Sequence, residues 1–197
     1  VLLKDVCEIS MGQAPKGTSY NTTGEGHPLI AGAGDFGEVS PQPKKYTTEP
    51  TRLSRVDDII LCIRATIGDR NWSDSIYCLG RGVAGLRANP DQLDQKYLWH
   101  WLGSTTPQLR SQGRGATFLQ VNRADISSMQ IPLPPLPEQR RIAAILDKAD
   151  ALRAKRRQAI AKLDALLQSV FLEMFGDPVT NPKGWSTTLV GDAFSAF

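Results

Sequence analysis

The feature that most constrains the fold is a long, uninterrupted helical pattern in the second half of the sequence. No proline or glycine occurs between Glu138 and Phe175, and apolar residues recur there in alternating steps of four and three. That alternation is typical of a helix that packs along a second helix. We therefore predict a helix of about 36 residues, roughly 54 Å long at 1.5 Å per residue. The predicted seam residues are Ile142, Leu146, Ala149, Arg153, Arg156, Ile160, Leu163, Leu167, Val170 and Met174.

Both ends of this helix are marked in the sequence. Pro137 closes a proline-rich segment and fits the first helical position, where its missing N–H is harmless. Gly176 predicts the end of the helix. The four-three rhythm places Arg153 and Arg156 at the centre of the seam. Two arginines there predict a locally polar contact, with acidic residues of a partner.

The residues before the helix read as a separate β-rich block. Short apolar runs alternate with Gly, Pro, Asn and Asp, which is the pattern of short strands joined by turns. We predict strands at 29–31, 59–63, 75–79, 83–87 and 116–122, and two short helices, at 95–102 and 107–112.

The predicted fold class is α+β, a β-rich globular domain followed by one long α-helix that pairs antiparallel with another. We place the globular domain at residues 1–134, the helix at 135–176 and a tail at 177–197. Residues 189–194 of the tail resemble residues 2–7 at the start of the chain, which suggests the beginning of a second copy of the domain.

Composition and charge exclude several classes of protein. With 41% hydrophobic and 22% charged residues, the chain has the composition of a folded globular protein. No apolar run is long enough to cross a bilayer, and the first residues lack the basic segment of a signal peptide. Three cysteines without metal-type spacing fit a reducing compartment, so we expect a cytoplasmic protein.

The net charge of +3 is unevenly distributed. Residues 1–137 carry fourteen Lys and Arg against thirteen Asp and Glu, whereas residues 138–176 carry eight against five. The globular block therefore lacks a general positive field. If it binds nucleic acid, it must do so through a local cleft.

The sequence contains none of the common catalytic motifs. A phosphate-binding P-loop, a GxSxG elbow, an HExxH pair and a CxxC pair are all missing. The glycine-rich stretch from Ala31 to Gly37 lacks GxGxxG spacing and predicts a turn that lets backbone approach a partner. His27 and His100 lie in contexts typical of structural residues. We predict no cofactor, no metal ligands and no catalytic residues, which leaves a nuclease or methyltransferase as the least supported alternative.

A different set of polar residues stands out, on loops flanked by glycine or directly after a buried strand. Arg, Lys, Thr and Tyr in such places are suited to contacting phosphates and base edges. Each of them alone reads equally well as a solvated loop residue, but together they predict one binding face. The predicted DNA-binding residues are Lys44, Lys45, Tyr46, Arg64, Thr66, Arg81, Arg114 and Thr117.

Arg64, Thr66, Arg114 and Thr117 belong to stretches that resemble a known family. Gly113–Thr117 and the proline-rich segment running into Glu138-Gln139-Arg140-Arg141-Ile142 are similar to the junction of domain and helix in specificity subunits of type I restriction–modification enzymes. The opening at 3–12, the stretch at 58–68 and the helix end at 171–178 resemble the same family. The resemblance covers nearly the whole chain.

The resemblance implies a non-catalytic DNA-recognition subunit. In that family, two recognition domains each read half of a split double-stranded DNA target, and two antiparallel helices hold them apart. Methyltransferase and restriction subunits dock on the specificity subunit and carry out the chemistry. This sequence holds one domain and one helix, which is half of that pattern. We therefore expect two copies to form a homodimer through the helix.

An alternative of another class stays open at this point. The chain could be a helical scaffold that docks a methyltransferase without binding DNA itself. The near-neutral charge of residues 1–137 favours that alternative. Salt-dependent binding to duplex DNA distinguishes a DNA-recognition protein from such a scaffold, because a protein that neutralises phosphates releases their counterions.

Overall fold

The computed structural model describes residues 1–115 and 118–194. The chain forms two compact units, Val1–Leu146 and Asp147–Phe197. This division lies beyond the domain boundary at residue 134 that the sequence predicts. The reason is that the first turns of the long helix bury Gln139 and Ala143 in the first unit, which we call the head.

The secondary structure confirms the α+β class. The helices are α1 (Leu3–Val6), α2 (Gln95–Ser111), α3 (Arg123–Ser127), α4 (Leu136–Phe175) and α5 (Val190–Phe194). The strands are β1 (Cys7–Met11), β2 (Tyr20–Asn21), β3 (His27–Ile30), β4 (Lys45–Thr47), β5 (Ile59–Cys62), β6 (Arg70–Trp72), β7 (Cys78–Leu79) and β8 (Val83–Ala88).

The head contains two four-stranded sheets. The first has the order β1-β8-β5-β6 and is antiparallel throughout, with Ile59 opposite both Leu86 and Trp72. The second has the order β2-β4-β3-β7, with β3 and β7 parallel. All four residues of β5 are buried, which accounts for its continuous apolar sequence.

The main core lies between the first sheet and the helices. Leu3 of α1, Ile59 and Leu61 of β5, Leu86 of β8 and Leu98 of α2 are all fully buried in one cluster. A smaller cluster, on the other side of β5, is formed by Ile30, Ile60, Tyr77, Leu79 and Val83. Alternate residues of β5 therefore serve the two clusters.

Helix α2 corrects one prediction, because it is a single helix where the sequence predicts two. Its N-cap is Asp94, whose carboxylate accepts hydrogen bonds from the N–H groups of Lys96 and Tyr97. Pro107 lies inside the helix. The hydroxyls of Thr105 and Thr106 bond back to carbonyls of the preceding turn. The helix nevertheless continues to Ser111, so the proline does not end it.

The segment after α2 forms isolated bridges instead of the predicted strand at 116–122. Gln120 pairs with both Arg114 and Arg64. Asn122 then caps α3 in a reciprocal capping box with Asp125. The sequence analysis missed α3 because a helix of five residues carries too little periodicity to be recognised. Ala116 and Thr117 lie outside the described residues.

Helix α4 runs over 40 residues and agrees closely with the predicted helix. Apart from its first turns, its residues are largely exposed, including large apolar ones such as Leu163 and Leu167 at 59% and 71%. Its end is capped by the tail: Lys183 donates to two carbonyls of the last turn, and the indole of Trp185 donates to the carbonyl of Phe175. Gly176 follows with a φ of 78°.

The resemblance between the tail and the start of the chain extends to local structure. Helix α1 begins at Leu3, and α5 begins at Val190, the equivalent position in the two sequences. Both are short helices that follow a leucine.

Among the described residues, no helix combines the length and the apolarity that crossing a bilayer requires.

Candidate nucleic-acid interface

Arg64 projects from the end of the central strand of the head. Its neighbour Ile63 continues β5, since the Ile63 N–H donates to the carbonyl of Gly82 at 2.9 Å and its carbonyl accepts from Val121 at 3.0 Å. Ala65 then takes a left-handed φ of 61°. The chain turns at this point, which leaves Arg64 and Thr66 at the rim of the first sheet.

Arg81 lies on the turn between β7 and β8, beside the glycine-rich loop. The two glycines that flank it are required by close backbone contacts. A Cβ on Gly82 would lie 2.1 Å from the carbonyl oxygen of Ala31, and one on Gly80 would lie 3.0 Å from that of Ile30. The Gly-Arg-Gly sequence therefore lets this turn pass against the loop and exposes the Arg81 side chain.

These two arginines line a pair of adjoining concave surfaces. One, of about 480 Å³, is lined by the glycine-rich loop from Ala31 to Gly34, by Thr66 and by Phe118. The other, of about 420 Å³, is lined by Lys45 and Tyr20. Arg64 and Arg81 belong to both. We call this joint surface the basic cleft, defined by Arg64, Thr66, Arg81 and Lys45.

The electrostatics of the basic cleft differ from those of the rest of the head. Its lining contains three cations and no acidic residue. In the part of the chain that the structure describes, Arg64, Arg81 and Lys45 make no ion pair. Other arginines of the head do: Arg87 with Asp58 at 2.6 Å, Arg110 with Asp69 at 3.4 Å and Arg114 with Asp125 at 3.2 Å. Three unneutralised cations around one concavity are suited to an anionic partner.

The side chains of the cleft are only partly fixed. The guanidinium of Arg64 lies 5.7 Å from the ring centroid of Phe118, a cation–π distance that orients it across the cleft. The Thr66 hydroxyl donates to the sulfur of Cys62 at 3.4 Å. Arg81 and Lys45 are exposed. Phe118 itself is 55% exposed, so a flat apolar surface is available beside the cations.

The structure thus brings together four of the eight predicted DNA-binding residues, namely Arg64, Thr66, Arg81 and Lys45. Tyr46 follows Lys45 in β4 and so points to the opposite face of that strand. Lys44 precedes the strand, is exposed and does not line the cleft. Thr117 lies outside the described residues.

Arg114 is linked to the cleft by its backbone pairing, but its side chain contacts a residue outside the cleft. Its backbone pairs with Gln120, which also bridges to Arg64. Its guanidinium, however, contacts the buried carboxylate of Asp125. The side chain is 72% exposed, but it does not line the cleft.

Sequence reasoning missed Phe118 and Tyr20 as lining residues. Phe118 follows the Gly-Arg-Gly-Ala-Thr stretch directly, and an exposed aromatic residue beside a basic loop is the pattern that could have indicated it. Tyr20 is placed by the pairing of β2 with β4, which no local pattern predicts.

The predicted seam of α4 is placed as follows. Ile142 packs against the core of the head, so the exposed part of the seam begins at Leu146. Arg153 makes an ion pair with Asp150 on its own helix at 3.6 Å. The remaining seam residues are exposed on α4: Ala149, Arg156, Ile160, Leu163, Leu167, Val170 and Met174.

Comparison with known proteins identifies a family for this chain, with its mixed α and β head and its long helix. Residues 1–163 match the family model described as the type I restriction modification DNA specificity domain. The chain therefore belongs to the family of type I restriction–modification specificity subunits, as the sequence resemblance predicts.

Relatives and solved structures agree with this assignment. The MjaX protein of Methanocaldococcus jannaschii, named as a type I restriction enzyme specificity subunit, is 36% identical over 168 residues, 84% of this chain and 40% of the relative. The crystal structure of the HsdS subunit from Thermoanaerobacter tengcongensis is 34% identical, with a TM-score of 0.74 over 89% of this chain and 44% of that one. A chain from a study of complex assembly and conformational transition in the type I R-M system is 36% identical, with a TM-score of 0.78 over 86% and 42%.

The chain spans less than half the length of these relatives.

Proposed function

We propose that this chain is a DNA-recognition module of a type I restriction–modification enzyme and that it reads one half of a split target. The observation that carries the proposal is the basic cleft, where Arg64, Arg81 and Lys45 surround a concavity without acidic residues. Family membership indicates DNA as the class of ligand, and the cleft is the surface where we propose that it binds. The chain itself catalyses no reaction in this proposal.

In the proposed complex, the three cations divide between two kinds of contact. Lysine binds phosphate as a point charge, whereas an arginine can also contact the O6 and N7 atoms of guanine with two parallel hydrogen bonds. Phosphate contacts hold the head on the duplex and do not depend on sequence. Base contacts by Arg64 or Arg81 would supply the sequence preference, with Thr66 as a supporting polar group.

The proposal also includes pairing of two copies through α4, in antiparallel orientation. A helix with this many exposed apolar residues gains free energy by burying them, at about 25 cal/mol per Å². A closed two-fold pair buries the same stripe on both copies. Such a homodimer would carry two heads and two helices, and methyltransferase and restriction subunits would dock on it. The buried free cysteines suit the reducing cytoplasm, where we place its action.

Binding to duplex DNA tests the basic cleft. The full chain is titrated into a labelled pool of random-sequence duplexes at low salt, and the fluorescence anisotropy is followed. We expect the variant Arg64→Ala with Arg81→Ala to lose at least about tenfold in affinity, since each lost contact costs roughly 1–3 kcal/mol. The matched control is Arg110→Ala with Arg55→Ala, two exposed arginines that are paired with acids outside the cleft. The control should bind like the unmodified chain.

Equal binding by the cleft variant and the control variant would show that DNA is not read by this cleft. If the unmodified chain binds no duplex at low salt yet binds a methyltransferase subunit, the helical scaffold is the correct function. Selection of bound sequences from the same pool separates the two arginines. Loss of a base contact relaxes one position of the selected site, and loss of a phosphate contact weakens all sequences alike.

A further inference from the structure

We propose that Phe118 is a specificity-determining residue of the basic cleft: its ring contacts the C5 methyl group of a thymine, close to a guanine that Arg64 binds. This inference rests on the proposed function and deepens it, because it states which bases the cleft selects. It follows from the exposure of Phe118, from its contact with Arg64 and from the small apolar residues that line the same concavity.

The exposed aromatic side chains of the head lie at the basic cleft. Among the described residues of the head, two aromatic side chains are exposed, Phe118 at 55% and Tyr20 at 36%, and both line the cleft. A phenyl ring in water leaves apolar surface unburied, which is unfavourable. A phosphate group offers no apolar surface to such a ring. The position of Phe118 beside three cations therefore indicates an apolar contact with another part of the DNA.

The backbone on both sides of Phe118 is held by close contacts. After it, the carbonyl of Leu119 accepts a hydrogen bond from the N–H of Ala65 at 2.9 Å, and Ala65 is the residue that follows Arg64. Before it, Gly115 has a φ of 135°, which favours glycine, and a Cβ there would lie 2.3 Å from the carbonyl oxygen of Phe118. The backbone therefore places the ring beside Arg64.

The contact with Arg64 decides between two ways in which the ring can meet DNA. An apolar side chain that is inserted between base pairs needs both of its faces free, and it must also unstack the bases. The Arg64 guanidinium already lies over one face of Phe118, 5.7 Å from the ring centroid. The rest of the ring is suited to a contact at the edge of a base pair. In the major groove, the apolar group at that edge is the C5 methyl of thymine.

The other residues of the concavity are suited to the same contact. Apart from Phe118, the two arginines and Thr66, the residues that line it are alanines and glycines. A Cβ on Gly32 or Gly34 would have no atom within 4 Å, so the glycine-rich loop leaves open space at this wall of the cleft. Small apolar walls admit the edge of a base pair, and an arginine donates to O6 and N7 of guanine.

The distance between the two side chains limits how far apart the two bases lie. The Arg64 guanidinium and the Phe118 ring are 5.7 Å apart, which is between one and two base-pair steps of about 3.4 Å. The thymine should therefore lie within about two base pairs of the guanine.

Duplexes that differ by one methyl group test the thymine contact. Sequences that the unmodified full chain binds are selected from a random pool, and each thymine of the selected site is replaced in turn by deoxyuridine, which lacks only the methyl group. We expect one replacement, close to a guanine, to weaken binding about fourfold, the effect of one buried methyl group. Phe118→Ala should bind the thymine and deoxyuridine duplexes equally. Phe118→Leu should keep most of the difference, since leucine still offers an apolar contact to a methyl group but cannot stack on a base.

The guanine contact is tested with a second modified base. 7-Deazaguanine lacks the N7 acceptor, so it should weaken binding by the unmodified chain and have little effect on binding by Arg64→Ala. The matched control is Ile76→Ala, which shortens an apolar side chain that is 49% exposed and does not line the cleft. This variant should show the same effects of both modified bases as the unmodified chain.

The outcomes distinguish this inference from the proposed function. If the unmodified chain selects a site but no deoxyuridine replacement weakens binding, the thymine contact is wrong, and DNA binding by the chain is unaffected. The same holds if Phe118→Ala retains the difference between the two duplexes. If Phe118→Leu loses the difference as Phe118→Ala does, the ring stacks on a base, and the methyl contact is again wrong. If the unmodified chain binds no duplex at low salt, the proposed function fails together with this inference.

Discussion

Gln139 lies fully buried in the first turn of α4, and its side-chain amide makes three hydrogen bonds. Its oxygen accepts from the N–H of Asp94 at 2.9 Å, and its nitrogen donates to the carbonyls of Gln92 and Pro134 at 2.9 and 2.7 Å. A glutamine has the donors and the acceptor that all three bonds require. This residue therefore attaches the start of α4 to the loop before α2.

Replacing Gln139 by Leu should lower the free energy of unfolding of the head by about 3 kcal/mol or more. Leucine has a similar volume, but it leaves one N–H and two carbonyls at partly buried sites without their Gln139 partner, and each lost bond costs roughly 1–3 kcal/mol. Urea unfolding followed by tryptophan fluorescence measures the change.

The neighbouring Arg140→Ala is the matched control for this prediction. Arg140 is 65% exposed and lies 3.8 Å from the Asp94 carboxylate, so its loss should change stability by less than about 1 kcal/mol. Equal effects of the two variants would contradict the role assigned to Gln139.

Helix α4 is the element on which the proposed pairing depends, and Leu163 lies in the middle of its exposed stripe. Leu163→Asp should convert the proposed dimer to a monomer, because it places a charge on each side of the apolar contact. Analytical ultracentrifugation at several concentrations measures the result. Ser169→Asp adds the same charge on the outer face of the helix and should leave pairing intact. A dimer that survives Leu163→Asp would mean that another surface mediates pairing.

Elements with a strong local pattern were predictable from sequence, and those set by distant contacts were not. The period of α4 and the apolar run of β5 identify both elements locally. By contrast, the ion pair of Arg114 with Asp125 depends on where the chain returns after α2. For that reason Arg114 reads in sequence like Arg64, although among the described residues Arg64 lines the cleft without an ion pair and Arg114 pairs with Asp125.

The boundary of the head likewise depends on contacts between residues that are distant in the sequence. The sequence shows where the helical pattern begins but not that Gln139, Ile142 and Ala143 pack into the head. A helix can start in one compact unit and continue into the next without any change in its own periodicity. The lining of the basic cleft likewise draws on both sheets, because Lys45 lies in β4 of the second sheet and Arg64 follows the end of β5 in the first.

At the scale of the whole molecule, the proposed pairing and the proposed DNA binding together predict how the affinity for DNA depends on salt concentration. The logarithm of the binding constant for duplex DNA falls with the logarithm of salt concentration, with a slope of about −0.9 for each phosphate neutralised. Three cations in one cleft correspond to a slope of about −2.7 at most, and two clefts on one duplex to about −5. A paired molecule should therefore show about twice the slope of a monomeric one.

The comparison needs the unmodified chain and Leu163→Asp, which has the same cleft but should not pair. Binding constants for a long duplex are measured by anisotropy at several salt concentrations, with Ser169→Asp as the control that keeps both properties. We expect Leu163→Asp to bind more weakly and with about half the slope, because it engages phosphates through one head. Equal slopes for the monomeric and paired chains would mean that only one head of the pair contacts DNA. The proposal that two heads recognise the two halves of a split target would then be wrong, even if each head can bind DNA by itself.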